Sequence, residues 1–181
     1  MKKILVALAM VLSYASVSQA GWLIEPYLGY EMGKTSSGNV DGKTELVNLG
    51  GRFAYTLPVF FWVGLDANIG MSGKYKPDSG SDEDVKRTTL GLVVGFDLPV
   101  LLRVWAAYGF SNELKFDDSV STKVKGNNMK LGVGFTGLPF VSLNLEYIKD
   151  DFKDVETSLG NGDADFDHDS LMLSVSLPLE F

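Results

Sequence analysis

The residues best equipped for chemistry lie near the C-terminus. His168, the only histidine in the chain, stands two positions before Ser170. A histidine and a serine can serve as general base and nucleophile if the imidazole reaches the hydroxyl and a third group orients it. Glu146 or Glu25 would be the acid for that task. Nearby, Asp163, Asp165, Asp167 and Asp169 alternate through the run NGDADFDHD, with Asp150, Asp151, Asp154 and Glu156 before them. Carboxylates at that density offer oxygen ligands to Ca²⁺ or Mg²⁺. The spacing is not that of a calcium loop, because His168 stands where such a loop needs glycine and Ser174 where it needs glutamate. A solvated acidic loop is the plainer reading. No catalytic residue, metal or cofactor is assigned.

Composition narrows the chemistry further. The chain has 181 residues, the length of a single domain, and no cysteine, which removes disulfides, thiolate catalysis and zinc–sulfur sites. One histidine removes any multi-histidine metal centre. Lys+Arg 16 against Asp+Glu 23 gives a formal charge of −7, the wrong sign for a phosphate-binding face, so nucleic acid is not the expected partner. Twenty glycines and 12 % aromatic residues are a strand-rich balance.

Residues 1–20 are an address. Met1, Lys2 and Lys3 form a basic start, ILVALAMVL an apolar core, and Ser18-Gln19-Ala20 the small residues of a cleavage site. The expectation is a signal peptide cut between Ala20 and Gly21, leaving one domain over 21–181. The apolar run is too short for a spanning helix, which needs about 20 residues.

The remaining chain alternates with period two. Leu171, Leu173, Val175, Leu177, Leu179 and Phe181 share one face, with Ser170, Met172, Ser174, Ser176, Pro178 and Glu180 on the other. The same pattern predicts eight strands, at 22–33, 44–56, 60–72, 86–97, 102–116, 124–136, 140–153 and 168–181. Leu-Pro recurs at 57–58, 98–99 and 138–139, between alternating segments. Proline pre-sets φ for a turn and cannot donate to a ladder, so these read as tight connections. Polar stretches at 34–43, 73–85, 117–123 and 154–167 read as long loops at the opposite end. The chain is then an up-and-down meander.

The polar face decides which way the barrel is turned. It is mostly Gly, Ser, Thr, Asn and Ala with a charge or two per strand, which suits a crowded lumen better than a watered exterior. The apolar face runs for about the 9–11 residues that a tilted strand needs to cross a bilayer. Trp22, Tyr55, Phe61, Phe96, Phe135 and Phe181 lie near the short turns. Tyr30, Phe110, Phe116, Tyr147 and Phe152 lie toward the long loops, as a second girdle.

Over the whole mature chain the sequence resembles the small eight-stranded outer-membrane barrels of the OmpA/OmpX/OmpW kind. The motif that carries the resemblance is the final strand SLMLSVSLPLEF, ending in Phe181. The resemblance implies an all-β, eight-stranded antiparallel up-and-down transmembrane β-barrel in the outer membrane of a Gram-negative envelope. It also implies that Phe181, Leu179 and Leu177 form a terminal signal read by the outer-membrane assembly machinery. Pro178 departs from the pattern, and is tolerable only where no ladder donor is required. The implied partners are outer-membrane lipid and lipopolysaccharide, around a monomer. Lipid A deacylases, also eight-stranded barrels, use a His-x-Ser pair. Here parity turns His168 and Ser170 into the lumen, away from acyl chains, and Asp169 between them does not reproduce that family's motif.

With the apolar face outward, the lumen receives Glu25, Arg52, Asp66, Asp97, Arg103, Glu113, Lys130 and Glu146. Charges of both signs in a narrow tube must pair, since an unpaired buried charge costs several kcal/mol. The expected function is a non-enzymatic structural or interaction protein with a charge-plugged lumen and four exposed loops. A narrow pore or small-molecule conduit is the alternative, and a lipid A-modifying enzyme the third.

Overall fold

The computed structural model describes residues 20–37, 40–58, 60–77, 82–116, 122–157 and 160–181. Residues 1–19, most of the expected signal peptide, lie outside them, as do 78–81 of the polar 73–85 stretch.

The elements are β1 (Gly21–Ser37), β2 (Val40–Leu57), β3 (Phe61–Pro77), β4 (Glu83–Leu98), β5 (Leu102–Phe116), β6 (Lys123–Phe135), β7 (Ser142–Thr157), β8 (Gly160–Ser176) and the short β9 (Leu179–Glu180). From β1 to β8 each pairs antiparallel with the next, and β1 pairs with β2 on one side and with β8 and β9 on the other, so the sheet closes. β9 continues the stave begun by β8, giving eight staves. Closure leaves no open edge, the condition for strands to cross hydrocarbon.

The outward face carries Leu28, Leu49, Ile69, Leu92, Leu131 and Leu173, each about half exposed. In water such a belt would be a severe aggregation hazard; against acyl chains it is at home. The aromatic residues expected near the turns all point outward, Trp22 stacking on Phe53 at 5.0 Å between ring centroids.

The end that holds Gly21 and Phe181, the near end, has the tight connections predicted from Leu-Pro. Phe60, Leu101 and Phe140 take φ of 64°, 61° and 69°, left-handed values that cost a non-glycine residue roughly 1–2 kcal/mol. The turns recover part of this by bonding onward: Phe60 O accepts from Asp97 N at 2.7 Å, and Leu101 O accepts from Thr136 N at 2.8 Å. Pro178 falls in the break between β8 and β9. Leu177 N donates to Pro26 O at 2.9 Å on the β1 side, so the next residue would donate toward β7. Pairing with β7 has already ended, at Ser142 opposite Ser176. No donor is missed, and the register against β1 continues unchanged to Leu23 opposite Glu180.

The far end corrects the expectation of long loops. β1 runs to Ser37, β2 begins at Val40, β7 runs to Thr157 and β8 begins at Gly160. Residues 34–37, 40–43, 73–77, 83–85, 154–157 and 160–167 are strand continuations, and the acidic run 163–169 is part of β8; 117–121 of the remaining stretch lie outside the described residues. The connections that remain at this end span two residues between β1 and β2 and two between β7 and β8.

Bulges explain how polar sequence can build that extension. The register shifts between Gly70 and Gly73 in β3, Gly109 and Asn112 in β5, and, against β6, Phe152 and Asp154 in β7. A bulge adds one unpaired residue, so parity reverses beyond it. Tyr75, Leu114, Phe116 and Val155 then turn inward, while Lys74, Glu113, Lys115, Asp154 and Glu156 turn outward. Below the bulges the wall is apolar outside. Above them it is apolar inside and charged outside, as in a barrel standing in water. Outer pairs such as Lys76–Glu45 at 2.8 Å and Lys125–Glu156 at 2.6 Å dress this extension. The hydrogen bond from Lys125 holds the Glu156 carboxyl below its ordinary range.

Two sequence expectations fail for this reason. Glu113 is not luminal: it lies outside and pairs with Lys115 at 3.1 Å. Phe116 and Phe152 do not join the upper girdle, since Phe152 is buried and Phe116 packs against the same internal cluster. Tyr30, Phe110 and Tyr147 do face outward.

Candidate functional site

The lumen is filled in layers. At the near end Leu23, Ala54, Trp62, Val93, Trp105 and Ala107 form an apolar floor. Glycines make room for its two indoles. A Cβ at Gly95 would sit 2.0 Å from Trp62, and one at Gly132 would sit 2.0 Å from Trp105.

The first charged layer joins seven of the eight residues expected in the lumen. Arg52 is its hub. Its Nη2 donates to Glu146 Oε1 at 2.7 Å, and its nitrogens approach Glu25 at 3.3 Å and Asp66 at 3.7 Å. The guanidinium also lies over the rings of Tyr27 and Trp105, at 4.8 and 4.3 Å from their centroids. Asp66 takes further bonds from Lys130 Nζ at 2.5 Å and Tyr27 Oη at 3.1 Å. Glu25 accepts from Ser176 at 2.6 Å. Arg103 is the link to the near-end rim: it bonds Asp97, reaches Glu25 at 3.3 Å and meets the exposed Glu180 at 3.4 Å. The side chains of Arg52, Glu25 and Glu146 have no solvent exposure at all. Every carboxylate of the layer therefore has a cation, as burial requires.

A second charged layer lies farther up, and sequence reasoning did not assemble it. Arg87 donates to Glu31 at 2.6 Å and to Asp150 at 3.0 Å, all three buried. Asn48 donates to Glu31 at 2.8 Å, and Asn112 donates to Asp150 at 2.8 Å. His168 Nδ1 lies 2.9 Å from Asp150 Oδ2. The signal was parity: Arg87 shares the face of Thr89, and Asp150 that of Glu146 and Ile148. Asp150 was read instead with the acidic stretch.

Ligand atoms of Glu31, Asp150 and His168 lie within 4.8 Å of one another. Both carboxylates already serve the Arg87 guanidinium, which stands where a cation would. Asp163, Asp167 and Asp169 are strung along the outer face of β8, roughly 13 Å and then roughly 7 Å apart, and do not converge. Asp167 pairs with Lys149 at 3.2 Å, and Asp169 accepts from Tyr147 at 2.5 Å.

The His-x-Ser pair does not form a catalytic dyad. Both residues are luminal, as parity required, but Ser170 Oγ donates to Glu31 Oε1 at 2.7 Å. His168 Nε2 has no hydrogen-bond partner, and a side chain at Gly33 would strike it. The imidazole touches a carboxylate and the serine touches another, and neither reaches the other.

At the seam, Trp22 and Phe181 exchange both backbone hydrogen bonds at 3.0 Å. Phe181, Leu179 and Leu177 point outward, as expected of the terminal motif.

Residues 4–177 match the family model for the outer membrane protein beta-barrel domain. Comparison with curated proteins returns no match. Among solved structures the fold is similar to that of Ail from Yersinia pestis in complex with the heparin analogue sucrose octasulfate, with TM-score 0.61, 13 % identity, and coverage of 89 % of this chain and 100 % of that one. OprG from Pseudomonas aeruginosa follows at TM-score 0.55 and 14 % identity, covering 89 % and 97 %. Neisserial surface protein A gives 0.52 and 15 %, covering 86 % and 96 %.

Proposed function

Because the chain belongs to the outer membrane protein beta-barrel domain family, and so is an outer-membrane barrel, we propose that it is a non-enzymatic structural or interaction protein whose lumen is plugged. The near end faces the periplasm and the strand extension stands outside the cell. The observation that carries the reading is the Arg52–Glu146–Glu25 cluster, whose side chains are fully buried in mid-lumen. An ion passing that level would have to break pairs that are dry on every side, a cost of several kcal/mol for each charge left unpaired. The separation of Ser170 from His168 supports the non-enzymatic part. Lipid and lipopolysaccharide surround the outer belt of a monomer, and the assembly machinery reads the strand ending in Phe181.

Solute release from vesicles tests the proposal. Vesicles carrying the refolded chain should retain a trapped small electrolyte as well as protein-free vesicles do. Rapid release would favour the conduit reading. Acyl release from lipid A, lost in Ser170→Ala, would restore the enzyme.

A further inference from the structure

Above the second charged layer the extension encloses a cavity of about 230 Å³. Its wall is made of rings. Tyr75 meets Phe116 edge-on at 5.9 Å between centroids, and Phe152 meets Phe166 at 5.0 Å. The remainder of the lining is aliphatic except for Thr35, Thr44 and His168. Two of these three are buried to 4 % exposure and hold unspent hydrogen-bonding capacity. The Thr44 hydroxyl makes no hydrogen bond to a described residue, and His168, held by Asp150 through Nδ1, leaves Nε2 without a partner.

From this we propose that the far-end cavity is a binding site for a single-ring aromatic molecule carrying one hydroxyl. The size fits: apolar cavities on the order of 150 Å³ already take up benzene-sized guests. Four rings offer edge and face contacts to a fifth, a geometry that favours an aromatic guest over an aliphatic one. The guest's hydroxyl would give the Thr44 hydroxyl and His168 Nε2, both on the cavity wall, the partner that no described protein group supplies. The Arg87–Glu31–Asp150 layer lies beneath His168, so the site ends in a charged floor and is not a stage in a channel. The inference goes beyond the plugged-barrel reading. Ligand binding and conductance are separate readouts, so either can fail alone.

The experiment uses the full mature chain refolded into lipid nanodiscs and ¹⁹F NMR of two probes, 4-fluorophenol and 4-fluorotoluene, against empty nanodiscs. The expected result is saturable binding of 4-fluorophenol beyond lipid partitioning. Thr44→Val should weaken it about fivefold, the worth of one hydrogen bond, and leave 4-fluorotoluene unchanged. Leu114→Trp should fill the cavity and abolish binding of both probes. If that variant fails the heat-modifiability check for folding, Val85→Phe takes its place. Binding no greater than in empty nanodiscs, binding that survives the filled cavity, or indifference to Thr44→Val would each overturn the proposal.

Discussion

Arg52 on β2 and Glu146 on β7 meet across the lumen, Nη2 to Oε1 at 2.7 Å, with neither side chain touching solvent. The two strands are not neighbours in the sheet, so the contact ties opposite parts of the wall together. Around it Tyr27 and Trp105 cover the guanidinium and exclude water.

Removing the hub should therefore cost more than the pair contributes. Arg52→Ala leaves Glu25, Asp66 and Glu146 short of a cation, and a broken buried pair typically costs roughly 3–5 kcal/mol. Urea unfolding in lipid vesicles should show a loss of that order. The double variant Arg52→Ala/Glu146→Ala should recover part of it. Strict additivity of the two single losses would mean that the residues are not coupled.

The indoles depend on missing side chains. Gly132→Ala would place a methyl 2.0 Å from Trp105, which also donates to Glu146 at 3.4 Å. Overpacking of this kind costs roughly 1–3 kcal/mol, and the unfolding midpoint should fall accordingly. A shift in the Trp105 fluorescence, read in a background where the other tryptophans are phenylalanine, should accompany it.

The β5 bulge is a sharper test of the fold. Deleting Ser111 removes one of the two residues, Phe110 and Ser111, that make the bulge between Gly109 and Asn112. Glu113 and Lys115 would then face the interior and Leu114 the outside. The deletion should lose the heat-modifiable folded band, whereas Ser111→Ala should keep it.

The outer pairs should matter little. Lys125 and Glu156 are solvent-exposed, and exposed pairs are screened and entropically costly. Lys125→Ala should leave the unfolding midpoint where it is. Because the Glu156 carboxyl is held below its ordinary range, what support the pair gives is present at neutral pH and fades as pH falls through that lowered value. A midpoint that drops on acidification in the wild type and not in Glu156→Gln would report it.

Much of this was legible in the sequence, because period two is a direct record of which side chain faces where. The belt from Leu28 to Leu173, the Leu-Pro turns and the gathering of Arg52, Arg103 and Lys130 among luminal carboxylates follow from parity and charge. What was not legible is where parity breaks. A bulge inserts one residue without a compositional mark, so Glu113 was carried inward and Phe116 outward by an alternation that stops at Gly109. Hydrophilic strand was also taken for loop: above the membrane the outer face of β8 must be polar, and Asp163, Asp167 and Asp169 supply it. That error hid Asp150 and with it the Arg87 layer.

Single-channel recording of the refolded 21–181 chain in a planar bilayer tests the plugged lumen most directly. A folded, heat-modifiable barrel should pass no discrete current, and Arg52→Ala should be the variant that begins to leak. Reproducible openings in the wild type, with an ion selectivity that changes in Arg103→Ala or Glu146→Ala, would contradict the plug and make the charged layers the lining of a pore.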